Sequence, residues 1–229
     1  MGKNGLLDAP HPSHQPGWGF IRYVDLLIVI LFLLLIVGCA HVGLKEQGED
    51  PLSAREHFTL GSIYEKRGEP ELALREYKMA LNKDSHFLPA ITRGGELSYV
   101  MGQYGQAERY YRKAIEVAPG NGDLYNNLSW VYLSQGKKLK KAENLILRAM
   151  ELTPEHKGYY LDTLGAIYLK QHRYREAIGV LETAVSLFDE TQSHLLSQVY
   201  LHLGAAYDGI GERSKAEEAF KKAKDTIDR

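Results

Sequence analysis

Large apolar, aromatic and small residues recur in one fixed order after residue 53, five times over. In the first copy the order runs Leu60-Gly61, Tyr64, Gly68, Ala73, Tyr77 and Ala80. Glycine or alanine at fixed places fits two helices that approach closely, and the glycine between them marks a turn. Such a period predicts a stack of helix pairs, each burying its apolar face only against its neighbours. The copies span 54–87, 88–121, 122–156, 158–191 and 197–229. The expected fold is an all-α solenoid over 54–229, suited to holding other molecules rather than transforming them.

The copies are unequal. Ser53 and Glu56 make a capping box that opens the first. The second keeps Gly95, Gly102, Ala107, Tyr111, Ala114 and Pro119, but has Gly94 where Leu is usual and Ser98 where Tyr is usual. Two adjacent glycines inside a helix cost about 1 kcal/mol each relative to Ala, so this first helix is expected to be the least rigid. The third, with Leu128, Tyr132, Gly136, Ala142, Ala149 and Pro154, has one extra residue in its turn, around 137–141. The fourth carries Leu161, Leu164, Gly165, Tyr168, Tyr174, Ala177, Leu181 and Ala184, with His172 at the turn glycine. The fifth has Leu203, Gly204, Tyr207, Gly211, Ala216, Phe220 and Ala223, and a spacer at 189–196 is expected to lengthen its first helix backwards. Tyr64, Tyr132, Tyr168 and Tyr207 read as core. Leu81, Ile115, Met150 and Val185 face the next copy from the second helix, and Lys224 replaces them in the fifth. With Glu217 and Thr226, this gives the fifth copy the polar outer face of a terminal repeat.

The pattern resembles the tetratricopeptide repeat (TPR), a helix–turn–helix unit of about 34 residues, and the resemblance covers everything after residue 53. It implies a right-handed superhelical solenoid of about five repeats, whose first helices line the concave side. On the family's ligand-facing positions the chain places Arg55, Phe58, Ser62, Glu65 and Lys66 in copy one. Copy two places Thr92, Glu96 and Tyr99, with Arg93 adjacent; copy three places Asn126, Trp130 and Ser134, with Asn127 adjacent. Tyr159, Asp162 and Lys170 follow in copy four, and Gln198, Leu201 and Asp208 in copy five. The expected partner-binding set is Thr92, Arg93, Glu96, Tyr99, Asn126, Asn127, Trp130, Tyr159 and Asp162. Trp and Tyr are enriched at binding hot spots, and Asn amides can bond a peptide backbone. Trp130 has two readings: it faces the groove, or it fills the space left by Gly94. A clamp for a carboxy-terminal carboxylate is not expected, because Phe58, Tyr159 and Thr163 stand where its basic residues would be.

Ahead of the repeats, residues 26–38 read LLIVILFLLLIVG, without charge. The run is short of the 20 or so apolar residues of a membrane-spanning helix and fits a signal-peptide core of about 7–15. Ile36-Val37-Gly38-Cys39 resembles the bacterial lipobox. The resemblance implies cleavage after residue 38, with Cys39 lipidated and leading the mature chain. Residues 1–38 then form the signal peptide, and 39–53, with Gly43, Gly48 and Pro51, a flexible tether. Ala40, in place of an Asp, leans towards the outer membrane, facing the periplasm. An uncleaved single-pass anchor on a cytosol-facing scaffold is the alternative, and the long proline-containing leader leaves a downstream start open.

Composition narrows the function classes. With 229 residues and a formal net charge of −1, the chain lacks the basic excess that draws a domain to nucleic acid. One cysteine excludes an internal disulfide and a multi-thiolate metal site. The nine histidines show no HExxH spacing, and no Gly-rich phosphate loop or catalytic triad stands out. No enzymatic role and no cofactor or metal are expected. The basic turn Lys137, Lys138, Lys140 and Lys141 reads as a solvated loop, or else as a contact for an anionic surface. The resulting expectation is a lipid-anchored scaffold or adaptor of the bacterial envelope, serving assembly of a pilus, secretion or export system. It would hold a protein or peptide in its groove and the membrane through Cys39. A receptor for cell-wall or glycan fragments, or an adaptor recruiting cell-wall hydrolases, is the alternative.

Overall fold

The computed structural model describes residues 50–227, so the apolar run at 26–38, the signal peptide, Cys39 and most of the tether lie outside the described residues. Among the described residues, ten α-helices form five antiparallel pairs: α1 (Ala54–Lys66) with α2 (Pro70–Lys83), α3 (Leu88–Val100) with α4 (Tyr104–Val117), α5 (Gly122–Ser134) with α6 (Leu139–Leu152), α7 (Lys157–Lys170) with α8 (Tyr174–Leu187), and α9 (Ser193–Gly209) with α10 (Arg213–Ile227). Short 3-10 turns, Pro154–His156 and Glu190–Gln192, precede α7 and α9. The fifth pair's first helix starts at Ser193, four residues ahead of its counterparts, as the spacer predicts.

Local chemistry sets the ends of these helices. Ser53 and Glu56 form the expected capping box at α1, with the Glu56 carboxylate accepting from the Ser53 backbone N–H at 2.7 Å. Each first helix ends in the same turn. Glu69, Gln103, Lys137, Arg173 and Glu212 donate their backbone N–H to the carbonyls of Tyr64, Ser98, Tyr132, Tyr168 and Tyr207, closing a Schellman motif. The residue before each of these donors has φ between 59° and 81°: glycine in four repeats and His172 in the fourth.

The seam inside each repeat is a close approach. A Cβ on Gly61 would sit 2.6 Å from the Tyr77 ring, on Gly165 2.5 Å from Leu181, and on Gly204 2.5 Å from Phe220. Gly94 and Gly95 lie under Tyr110 and Tyr111, with ring atoms 2.9 and 3.0 Å from a built Cβ. The glycine pair is therefore a packing device that admits two tyrosines from α4, and the space left by Gly94 belongs to Tyr110 rather than Trp130. In the third repeat Ser129 takes the glycine's place, fully buried, and its hydroxyl donates to the Ala142 carbonyl at 3.1 Å.

Between repeats, first helices also touch one another, α3 on α5, α5 on α7 and α7 on α9, which makes theirs the inner side of the stack. Carboxylates strap successive repeats together. Glu108 of α4 accepts from Lys138 and Tyr132 of the next repeat, each at 2.9 Å, and Glu143 of α6 accepts from Arg173 at 3.1 Å. Of the four tyrosines expected in the core, Tyr132 is buried while Tyr64, Tyr168 and Tyr207 are half-buried. Three of these rings carry a cation: Lys138 stands 4.7 Å from the Tyr132 centroid, Arg173 4.1 Å from Tyr168 and Lys215 5.3 Å from Tyr207.

On α10, Glu217, Lys221 and Lys224 are exposed, with Phe220 and Ile227 the apolar exceptions. Glu217 does not distinguish a terminal repeat, since Glu108 and Glu143 hold the same repeat position inside the stack. Lys224, opposite four apolar counterparts, is the substitution peculiar to the fifth repeat.

Candidate binding groove

The first helices of repeats two to four bring five of the nine expected residues, Glu96, Tyr99, Asn127, Trp130 and Tyr159, to one concave hollow of about 410 Å³. Val100, Tyr111 and Gln198 complete its lining. Tyr99 and Ser134 share a hydrogen bond of 2.7 Å between hydroxyls, which fixes the Tyr99 ring across the repeat boundary. Trp130 packs one side against the core, and its indole N–H donates to the Thr163 hydroxyl at 3.1 Å. The rest of the ring is left to the groove. A rigid aromatic held in this way presents apolar area at little entropic cost.

Asn127 and Tyr159 also line a second hollow of about 580 Å³, which runs past Asp123, His156 and Phe188 to Leu195. Sharing Asn127 and Tyr159, the two hollows adjoin, and together they make up the inner trough. At its floor Asp123 accepts from the Tyr160 hydroxyl at 2.6 Å and lies 2.9 Å from His156. Burial pushes the Tyr111 and Tyr159 hydroxyls above the usual tyrosine range.

The other four expected residues lie elsewhere. Arg93 is exposed but committed, its guanidinium donating to Glu96 at 2.6 Å and to Glu65 at 2.8 Å. Those two bonds hold its pKa above the ordinary value, and they leave the groove without a free arginine at this point. Thr92 is half-buried on α3, outside the hollow's lining. Asn126 and Asp162 are buried, which corrects their expected place on the groove surface. Asp162 is 2.7 Å from His202 of the next repeat. Asn126 is fully buried, and neither end of its amide has a hydrogen-bond partner among the described residues. Both sit where consecutive first helices touch, so inner-side residues at this repeat position become interface instead of surface.

Sequence reasoning missed Val100, the most exposed large apolar side chain among the described residues at 80%. Its signal was an aliphatic residue in the last turn of a first helix where copy one has Lys66. Among the described residues, no three His, Cys, Asp or Glu side chains are grouped to hold a metal ion.

Comparison with known proteins agrees with the repeat geometry. Two family models, both described as tetratricopeptide repeat, match residues 101–167 and 159–226. Human protein O-mannosyl-transferase TMTC1 is 28% identical over 71% of the chain, which spans 18% of it. Mouse tetratricopeptide repeat protein 21A is 30% identical over 73% of the chain, which spans 12% of it. Type IV pilus assembly protein PilF of Pseudomonas aeruginosa is 28% identical over 55% of the chain and 50% of its own length. The chain thus spans half or less of each of these relatives. Among solved structures, PilW, described as a widely conserved type IV pilus biogenesis factor, superposes with a TM-score of 0.67 at 16% identity, covering 77% of this chain and 78% of its own. MamA superposes at 0.62 and 21% identity, covering 76% and 92%. YrrB, described as a TPR protein with an unusual peptide-binding site, superposes at 0.56 and 24%, covering 76% and 86%. The recurring glycine seam, the ten paired helices and both family models lead to the same conclusion: the chain belongs to the tetratricopeptide-repeat family.

Proposed function

We propose that this protein is an assembly adaptor that captures a peptide segment of a partner protein in the inner trough of repeats two to five. The observation that carries the reading is the convergence of Tyr99, Val100, Trp130 and Tyr159 on one hollow, with the Asn127 amide among them. Aromatic anchors provide area, and the amide can bond a peptide backbone. The similarity to PilF and PilW, both described by their part in type IV pili, supports a place in the bacterial envelope and an assembly role there. Lipidation at Cys39 would fix the trough to one membrane surface, with the outer membrane favoured by Ala40. One acyl chain binds membranes only marginally and two hold firmly.

Affinity capture from solubilised envelopes, with the full chain as bait, tests the reading. Wild type should retain a defined protein, and Trp130→Ala should lose it. Retention of cell-wall fragments with no protein, lost in the same variant, would instead support a glycan receptor. Mass spectrometry of the mature amino terminus tests the anchor separately: an acylated Cys39 is expected, and an intact Met1 would contradict it.

A further inference from the structure

The outer side of the stack holds two clefts built on the same plan. One lies between α4 and α6, with α5 as its floor; the other lies between α8 and α10, with α9 as its floor. Their volumes are about 340 and 300 Å³. The floors match position by position: Tyr125, Leu128 and Tyr132 in the first, Tyr200, Leu203 and Tyr207 in the second. These floor residues lie on the face of α5 turned away from Asn127 and Trp130, so the cleft is separate from the inner trough.

The walls differ. In the second cleft the charged residues are Glu182, Lys215, Glu218 and Lys222, two of each sign. Within the cleft Lys222 pairs with Glu218 at 2.8 Å and Glu182 accepts from the Tyr207 hydroxyl at 2.6 Å, while Lys215 pairs with Glu212, just outside the lining, at 2.6 Å. In the first cleft the equivalent positions are Arg112, Lys141, Asn144 and Arg148. Both acids have gone, and no acid lines the cleft. Arg112 pairs with Glu108 at 3.1 Å and Arg148 with Glu151 at 2.7 Å, both acids outside the lining, while Lys141 is exposed with no ion pair among the described residues. The excess extends along the walls. Residues 104–117 and 135–152 hold eight basic residues against four acidic ones, although residues 50–229 carry equal numbers of each. Of the basic turn at 137–141, Lys141 lines this cleft and Lys138 stands 4.7 Å from the ring of its floor residue Tyr132.

We infer that the cleft between α4 and α6 is a second binding site, for a short acidic peptide segment carrying an aromatic or aliphatic side chain. The apolar side chain rests on Tyr125, Leu128 and Leu145, and flanking carboxylates meet Lys141, Arg148 and the exposed side of Arg112. A recessed floor with cations at its edge suits a side chain flanked by acids better than a flat bilayer. In the matched second cleft the lining charges balance, two of each sign, whereas the first is lined by three cations and no acid. Such complementarity contributes chiefly specificity and association rate.

Fluorescence anisotropy on the full chain in detergent tests this, using labelled Asp-Glu-Phe-Asp-Glu and its neutral counterpart Asn-Gln-Phe-Asn-Gln as probes. The acidic peptide should bind at least about tenfold more tightly than the neutral one, and binding should weaken as salt screens the charges. Asn144→Glu, which restores the acid of the second cleft at an exposed position, should weaken it about tenfold, as should Lys141→Gln with Arg148→Gln. Trp130→Ala, in the inner trough, should leave it unchanged, so failure of the trough reading and failure of this one are separable. Equal binding of the two peptides, binding unaffected by the outer-cleft variants, or binding to phosphatidylglycerol vesicles with none to the peptide would overturn the inference.

Discussion

The seam inside each repeat and the trough across the repeats are made from the same first helices, yet they follow opposite rules. Along the seam every repeat solves one problem in nearly the same way. Gly61, Gly95, Gly165 and Gly204 each lie under a large side chain from the second helix, and Ser129 succeeds in their place by finding a buried acceptor. Along the trough no two repeats agree: Tyr99 and Val100 come from the second, Asn127 and Trp130 from the third, Tyr159 from the fourth and Gln198 from the fifth. Sameness between repeats marks what holds the stack together, and difference marks what the stack can recognise.

The largest expected effect lies in the seam. Gly165→Val would drive a branched side chain into Leu181, 2.5 Å from the built Cβ, and should cost about 2–3 kcal/mol by overpacking. Thermal denaturation would register it as a lower midpoint, and an unchanged midpoint would mean that the seam is not tight. Val100→Asp is the counterpart in the trough. At 80% exposure it should leave stability within about 0.5 kcal/mol, while partner binding weakens about tenfold, a loss of about 1.4 kcal/mol.

The inter-repeat straps come next. Burial opposes ionisation of Glu108, but hydrogen bonds from Lys138, Tyr132 and Arg112 outweigh it and hold the carboxyl below its usual 4.5. Glu143 is lowered in the same way, against burial, chiefly by Lys140 and then Arg173. A carboxylate depressed in the folded state contributes stability that is present above 4.5 and is lost as the pH falls through the folded value. Glu108→Gln should therefore cost about 1 kcal/mol at pH 7 and flatten the acid limb of a stability–pH curve. An acid limb identical to wild type would remove Glu108 from the account. The smallest effect is a gain. His172 adopts φ 59° where four repeats use glycine, so His172→Gly should stabilise by up to about 1 kcal/mol, less what its 2.8 Å contact with the Tyr174 hydroxyl contributes.

The fold was legible because its constraints are local and repeated. A glycine under a ring, a turn glycine at positive φ and an Ala–Ala contact leave the same mark in every copy, and so does the Ser53–Glu56 box. The groove was legible only in part, since its residues were placed by position alone, as if every repeat had the same exposure. Asn126 and Asp162 sit where neighbouring first helices touch, and packing took them out of solvent. Arg93 was captured by Glu65, a residue 28 positions away, which no window on one helix reveals. Tyr110 over Gly94 was closer to readable, because a missing Leu and an added Tyr on the facing helix compensate in volume. The tyrosines under cations could have been anticipated from the basic residue that follows each of the three in or after the turn: Lys138, Arg173 and Lys215.

The central claim is that the inner trough of the stack holds a protein segment. A photo-crosslinking amino acid placed at residue 100 in living cells tests it most directly, with residue 221 on the outer face of α10 as the control position. The trough account predicts one protein trapped from residue 100, absent from residue 221 and lost when Trp130→Ala is added. Trapping from both positions alike, or of glycan alone from residue 100, would contradict it.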